Sequence, residues 1–349
     1  GVAVTIGVSV AINEIENDAY AGIVDGQDLT AGAVTVRSSQ SATIDAVSVA
    51  ASIGLGIGLG TGGIALSGAG AVATNTINNN SVATVSGSTV HSAGAVTVEA
   101  LSTSTITAKI AALAVGLAFD PSAGIGVAIG VSVAINQIGD WTVPANPDDD
   151  PTLAPVFNAA GSGGVSATIV NSDVTAGGKL TVHAKAGQTI DALVISGSVA
   201  LGAGTVGVGV AGAGVYTENR IGVLTEASVT GASAGDKATI VAASVEVSAE
   251  DGSHITANAG AAAVAAAIGA VGVSVSFGVA IAKNTIANDV DAHLDFADVS
   301  VTDIPIHDPT YQGLTDPHPG QETNRPSQAP APGKISVSAK ENATINAIS

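Results

Sequence analysis

The sequence has no cysteine and no methionine, eight aromatic residues among 349, and only 11% charged side chains. Without cysteine there is no disulfide, no thiolate zinc site and no cysteine nucleophile. The charged minority is one-sided. Its 29 acids against 10 bases leave a formal net charge of −19, which repels phosphate backbones and argues against nucleic acid as a partner. No stretch reads as a membrane-spanning helix, because the apolar segments alternate with Gly, Ser and Thr. Disorder is disfavoured too: 46% of the residues are hydrophobic, and the mass is Val, Ile, Leu and Ala. The 44 glycines keep no three-residue period, so collagen is excluded. The chain opens on Gly1-Val2-Ala3-Val4 without a basic leader or cleavage site, and reads as a segment of a longer protein.

What is present is a repeat. The text GVAVTIGVSVAIN ending at Asn13 returns as GIGVAIGVSVAIN ending at Asn136, and more loosely at Asn75, Asn219 and Asn284. These anchor asparagines are spaced by 62, 61, 83 and 65 residues, and an insertion after Asp140 accounts for the odd interval. A second anchor reads Thr43-Ile44-Asp45-Ala46, Thr105-Ile106-Thr107-Ala108 and Thr189-Ile190-Asp191-Ala192 in successive units. Five units follow, at about 1–62, 63–123, 124–206, 207–271 and 272–349, with insertions at 139–163 and 303–333.

Within a unit the period is two. Val2, Val4, Ile6, Val8, Val10 and Ile12 share one side, and Ala3, Thr5, Gly7, Ser9 and Ala11 the other, which a strand produces and a helix does not. The predicted fold is therefore all-β: a single repetitive β-solenoid of about five 62-residue units, whose neighbours must cover the apolar face of each. Dividing the unit by three gives a rung of about 21 residues, and stacked rungs would align the five asparagines in an amide ladder. An alternation of eleven residues spans about 36 Å, long for one side of a triangular coil, so a meander of long antiparallel strands is the alternative.

The strand text, the N-x-I-x-N turn, S-x-V-x-A-G-x-V-x-V and T-I-x-A together resemble the repeat regions of very large secreted bacterial surface proteins. These are the filamentous haemagglutinin-like adhesins and leukotoxin-type large exoproteins, and the resemblance covers all five units. It implies a β-helical fibre at the cell surface or outside the cell, working in adhesion or matrix building and associating with adjacent repeats or other copies. It carries no catalytic residue to this chain. The two Pro-rich insertions and the length of the alternating strands depart from the pattern.

Chemistry outside the repeat concentrates in the insertions, which hold 11 of the 12 prolines. Proline keeps them out of the ladders, and loops on a rigid scaffold are where recognition sits. Trp141, Phe157, Tyr311, His307 and His318 are the candidate residues for reading a host or matrix glycan or protein, set against loops that merely block edges or touch a neighbouring subunit. Calcium is the one cofactor candidate, through Asp148, Asp149, Asp150, Asp289, Asp291, Asp295 and Asp298, since hard oxygens near turns suit that ion. Neither known calcium repeat motif occurs, however, and a solvated acidic surface is the simpler reading. Glycines such as Gly54, Gly56, Gly58 and Gly60 alternate inside strands, where they let two sheets approach, and no following helix supports a nucleotide fingerprint. An enzyme is not expected. A polysaccharide-active groove and a membrane barrel remain minor readings, the latter disfavoured because eight aromatics cannot build two girdles.

Overall fold

A computed structural model describes residues 1–142, 155–158, 164–301 and 333–349. Among these residues every regular element is a strand. The chain passes back and forth between two sheets. It runs β1 (Val2–Val24) in the first, β2 (Leu29–Ala31) and β3 (Val34–Ile57) in the second, then β4 (Gly63–Ser86) in the first and β5 (Thr89–Ser92) and β6 (Val96–Phe119) in the second. Next come β7 (Ala123–Ile138), a small pair β8 (Trp141–Thr142) and β9 (Val156–Phe157), and β10 (Gly164–Val170), which continues the line of β7. The second sheet receives β11 (Asp173–Ala203), and the first β12 (Val206–Ile221) and β13 (Leu224–Thr230). After β14 (Ala238–Asp251) and β15 (His254–Ile268) come β16 (Val271–Ile286) and β17 (Asp289–Asp295) in the first sheet. The second closes with β18 (Ala297–Val301), β19 (Ile335–Glu341) and β20 (Thr344–Ile348).

All pairings within the two large sheets are parallel, from Val2 on Ile64 through Val24 on Ser86, and likewise up the stack. The antiparallel meander is thereby overturned. The only antiparallel contacts among the described residues are β8 with β9 and an isolated bridge between Ser233 and Asp236. The rung of about 21 residues is overturned as well, because Asn13 lies on Asn75, a full 62 residues on. The coil is a flattened, two-sided turn, and so accommodates strands of 23 and 24 residues that a triangular rung could not. Like residues stack on like residues, which satisfies backbone groups and packs equal volumes in one step.

The interior divides at the level of the asparagines. On one side of them lies an ordinary core of Val, Ile and Leu, including Ile77, Ile106, Leu180, Ile190 and Ile255, all fully buried. On the other side the interior is mostly alanine, with Ala71, Ala73, Ala114, Ala128 and Ala211 completely covered. There the large aliphatics point outward: Ile6 and Ile12 are 77% and 76% exposed. The expectation that neighbouring units cover this aliphatic side is corrected. In β1 the apolar positions change sides between Ile12 and Ile15, and in β3 between Ile44 and Val47, a step of three that breaks the two-residue period.

The reason is the separation of the sheets. A Cβ placed on Gly126 would stand 2.3 Å from the Leu201 carbonyl oxygen and 2.9 Å from that of Gly116, both in the opposite sheet. At Gly7 the same atom would meet the Ala51 carbonyl at 2.3 Å. With backbones this close, Gly, Ala, Ser and Thr line most of the gap and most branched aliphatics face out; the buried exceptions, Ile110, Val194 and Val215, lie toward the asparagines, away from the tip turns. The inward hydroxyls bond within the gap. Ser48 Oγ lies 2.9 Å from Ser9 Oγ, Ser52 Oγ 2.9 Å from Thr5 Oγ1, and Ser132 donates to the Ile195 carbonyl at 2.6 Å.

Candidate functional site

The five anchor asparagines form one continuous column. Asn13 Nδ2 donates to Asn75 Oδ1 at 2.8 Å, Asn75 to Asn136 at 2.7 Å, Asn136 to Asn219 at 2.7 Å and Asn219 to Asn284 at 2.8 Å. Asn75, Asn136 and Asn219 are completely buried. Parallel in-register pairing brings each amide above the next, so every one except those at the ends both donates and accepts. Replacing Asn136 with alanine strands an Asn75 donor and an Asn219 acceptor. The expected cost is about 2–4 kcal/mol, from two unsatisfied buried groups, read as a lowered urea midpoint. Asn13→Ala, at the half-buried end of the column, should cost less than half as much.

The aromatic pair of the first insertion faces the solenoid rather than solvent. Trp141 and Phe157 pack with ring centroids 5.9 Å apart and planes tilted by 54°. Trp141 Nε1 donates to the Ile138 carbonyl at 3.0 Å, and Asn158 Nδ2 to Asp140 Oδ2 at 3.0 Å. Beneath them is Gly222, where a Cβ would stand 2.4 Å from Phe157 Cδ2 and 3.0 Å from Trp141 Cζ2. The pair therefore clasps the ends of the insertion to the sheet. Tyr311, His307, His318, Asp148, Asp149 and Asp150 lie outside the described residues.

The remaining acids are distributed along strands rather than gathered. Asp289, Asp291 and Asp295 lie on β17, with Asp291 Oδ2 3.0 Å from His293 Nδ1, and Asp298 on β18 pairs with Lys237 at 2.8 Å. Among the described residues no three His, Asp or Glu side chains converge as a metal site would require.

Two polar clusters carried no sequence signal of their own. Glu218, on the outer face of β12, is ion-paired to Arg220, to Lys283 at 2.8 Å, and accepts from the Tyr216 hydroxyl at 2.8 Å. Glu218 and Arg220 are nonetheless buried. The residues are two apart or on neighbouring strands, so only the register of β12 on β16 reveals the group. Asp251 is buried in the interior and accepts from the Ser253 amide and hydroxyl, both at 3.0 Å, and from Asn288 Nδ2 at 2.6 Å. Burial raises its pKa, only partly offset by the Ser253 bonds. A carboxyl whose folded pKa is raised binds its proton more tightly in the folded state. It therefore contributes stability that is present in acid and lost as pH rises through the raised value. Asp251→Asn keeps an acceptor and removes the buried charge, so the variant should gain stability relative to the parent as pH rises above the ordinary carboxyl value of 3.8, measured by urea titration.

No family model matches the chain, and no curated protein and no solved structure is significantly similar to it.

Proposed function

We propose that the chain is a non-catalytic structural segment of a large bacterial surface or filament-forming protein, working outside the cell in adhesion or matrix building. Five two-sided coils of about 62 residues form its shaft, in the manner of repeat solenoids. The observation that carries this reading is the unbroken in-register stack, with Asn on Asn through five levels. Such a stack presents at each end a strand edge of the same pattern as its interior, and identical coils extend it without a new type of contact. The acidic balance keeps neighbouring shafts apart in water. Reading of an external glycan or protein by the first insertion draws no support from Trp141 and Phe157, since both rings are spent on Gly222. Electron micrographs of the purified chain at increasing concentration test the proposal. The expected particles lengthen with concentration and diffract at about 4.8 Å along their long axis, the strand spacing. Compact particles of constant size, or hydrolysis of a polysaccharide substrate by the chain, would overturn it.

A further inference from the structure

We propose that the aliphatic end of the solenoid is a keel that enters the hydrocarbon of a lipid bilayer, strands along the membrane normal and acidic end in water. The arrangement at this end is the reverse of a water-soluble core: small and hydroxylated side chains inside, branched aliphatics outside, on both sheets. On the first sheet it covers residues 2–12 of β1, with Ile125, Ile129 and Val131 on β7 and residues 271–281 of β16 exposed beside them. On the second it covers residues 47–57 of β3, then Leu193, Ile195 and Val199 on β11.

The dimensions suit a bilayer. From Val2 to Ile12 the band runs about 33 Å at ~3.3 Å per residue, against a hydrocarbon thickness of about 30 Å. It ends at one height on both faces. The Ser9–Ser48 and Thr5–Ser52 bonds set Asp45 level with Ile12, and Asp45 stacks on Thr107 and then Asp191 across the second sheet. On the first sheet the limit is drawn at the same level by Glu218 and Lys283, which share a row with Ile12.

Charge is segregated in the same sense. The segments 46–75, 108–135, 192–217 and 257–282, which run out to the tip turns and back, contain two charged residues: Lys109, exposed in the outermost row of the band beside Val47 and Leu193, and, at the tip, Asp120. Its carboxylate is enclosed by the amides of Gly60, Gly62, Ser122 and Ala123 and by the Ser122 hydroxyl, at 2.7–3.1 Å. The touching sheets leave no lumen, so this is a solid wedge and not a pore.

A second copy is the rival occupant. One face offers roughly 700–800 Å² from these strand dimensions, comparable with the ~800 Å² per partner of an ordinary dimer. A copy covers one face at a time, however, and leaves its opposite wet, whereas acyl chains cover both faces together. Hydrocarbon admits sheets only where their edges are paired. The inserted form is therefore a stack extended by further coils, and in that respect the keel rests on the proposed filament.

The absence of cysteine makes the test direct. The full chain carries a single fluorophore through Val8→Cys or, at the far end, Asp28→Cys, and is mixed with phosphatidylcholine vesicles containing chain-attached quenchers. The expected result is flotation with the vesicles, quenching of the label at position 8 by at least threefold, and no quenching at position 28. Val4→Asp with Val8→Asp, both outward, should keep the β circular dichroism and lose flotation. Failure of the parent to float overturns the keel, as does equal quenching at both positions. Protection of position 8 that rises with protein concentration in the absence of lipid, without flotation, assigns the face to a second copy and overturns it too. Micrographs of the same vesicle-free samples report stacking separately. A chain that stacks but does not float sinks the keel alone, and one that floats as compact particles sinks the filament and with it the keel, whose strand edges would then stand unpaired in hydrocarbon.

Discussion

Gly126→Ala is expected to destabilise the fold by about 2–3 kcal/mol although it adds one methyl group, the scale of overpacking a closed interior. The new carbon would lie 2.3 Å from the Leu201 carbonyl oxygen, and both that atom and the Gly116 carbonyl belong to backbone held in ladders. Neither can yield without parting the two sheets. Equilibrium urea unfolding measures the loss. Gly70→Ala is the control, made in the same sheet but on the outer side, where an added Cβ has no atom within 4 Å. It should be neutral or gain about 0.5 kcal/mol, because alanine surrenders less chain entropy on folding. Equal losses at the two positions would show that the sheets are not in backbone contact at Gly126.

The second large effect contrasts two aliphatic residues that the sequence presents alike. Ile106→Ala should cost about 3–4 kcal/mol, the range for emptying a closed core site, since Ile106 is fully buried among Val and Ile of the first cluster. Val8→Ser should change stability by less than about 0.5 kcal/mol, because Val8 is 70% exposed and loses little on exchange. Thermal or urea unfolding of the pair separates the two ends of the molecule. A loss at Val8 as large as that at Ile106 would mean that its side chain is packed and not outward.

The all-β class was legible because alternation is a local property. Val2 through Ile12 can share a side only in a strand, and the anchor asparagines were spaced so that parallel stacking would align them. Two features of the fold were not legible. Alternation separates two sides without saying which one faces in, and the larger residues are the ordinary choice for a core. Here the distance between sheets decides, and that distance is set by Gly126, Gly7 and their equivalents acting across the gap. The shift between Ile12 and Ile15 did stand in the sequence as a broken period, and it marks the level at which the interior changes. The number of residues per coil was hidden because a repeat length does not reveal how often the chain turns within it. The long strands that counted against a triangular rung are what a two-sided coil requires.

The candidate sites divide on the same grounds. The asparagine column needed only register, which the repeat supplied. The role of Trp141 and Phe157 needed a partner far along the chain, Gly222, whose missing side chain makes room for them. The Glu218, Arg220, Lys283 and Tyr216 group depends on β12 lying beside β16, and no single unit contains it.

The interior and exterior of the solenoid exchange character at the asparagine column. Single cysteines on this cysteine-free chain test it most directly, through the rate of reaction with a water-soluble maleimide under native, lipid-free conditions at low protein concentration. Ile6→Cys and Val8→Cys should react at rates close to those of an unfolded peptide, while Ile106→Cys and Ile190→Cys should be slowed by at least about a hundredfold. Protection at positions 6 and 8 equal to that at 106 and 190 would contradict this exchange.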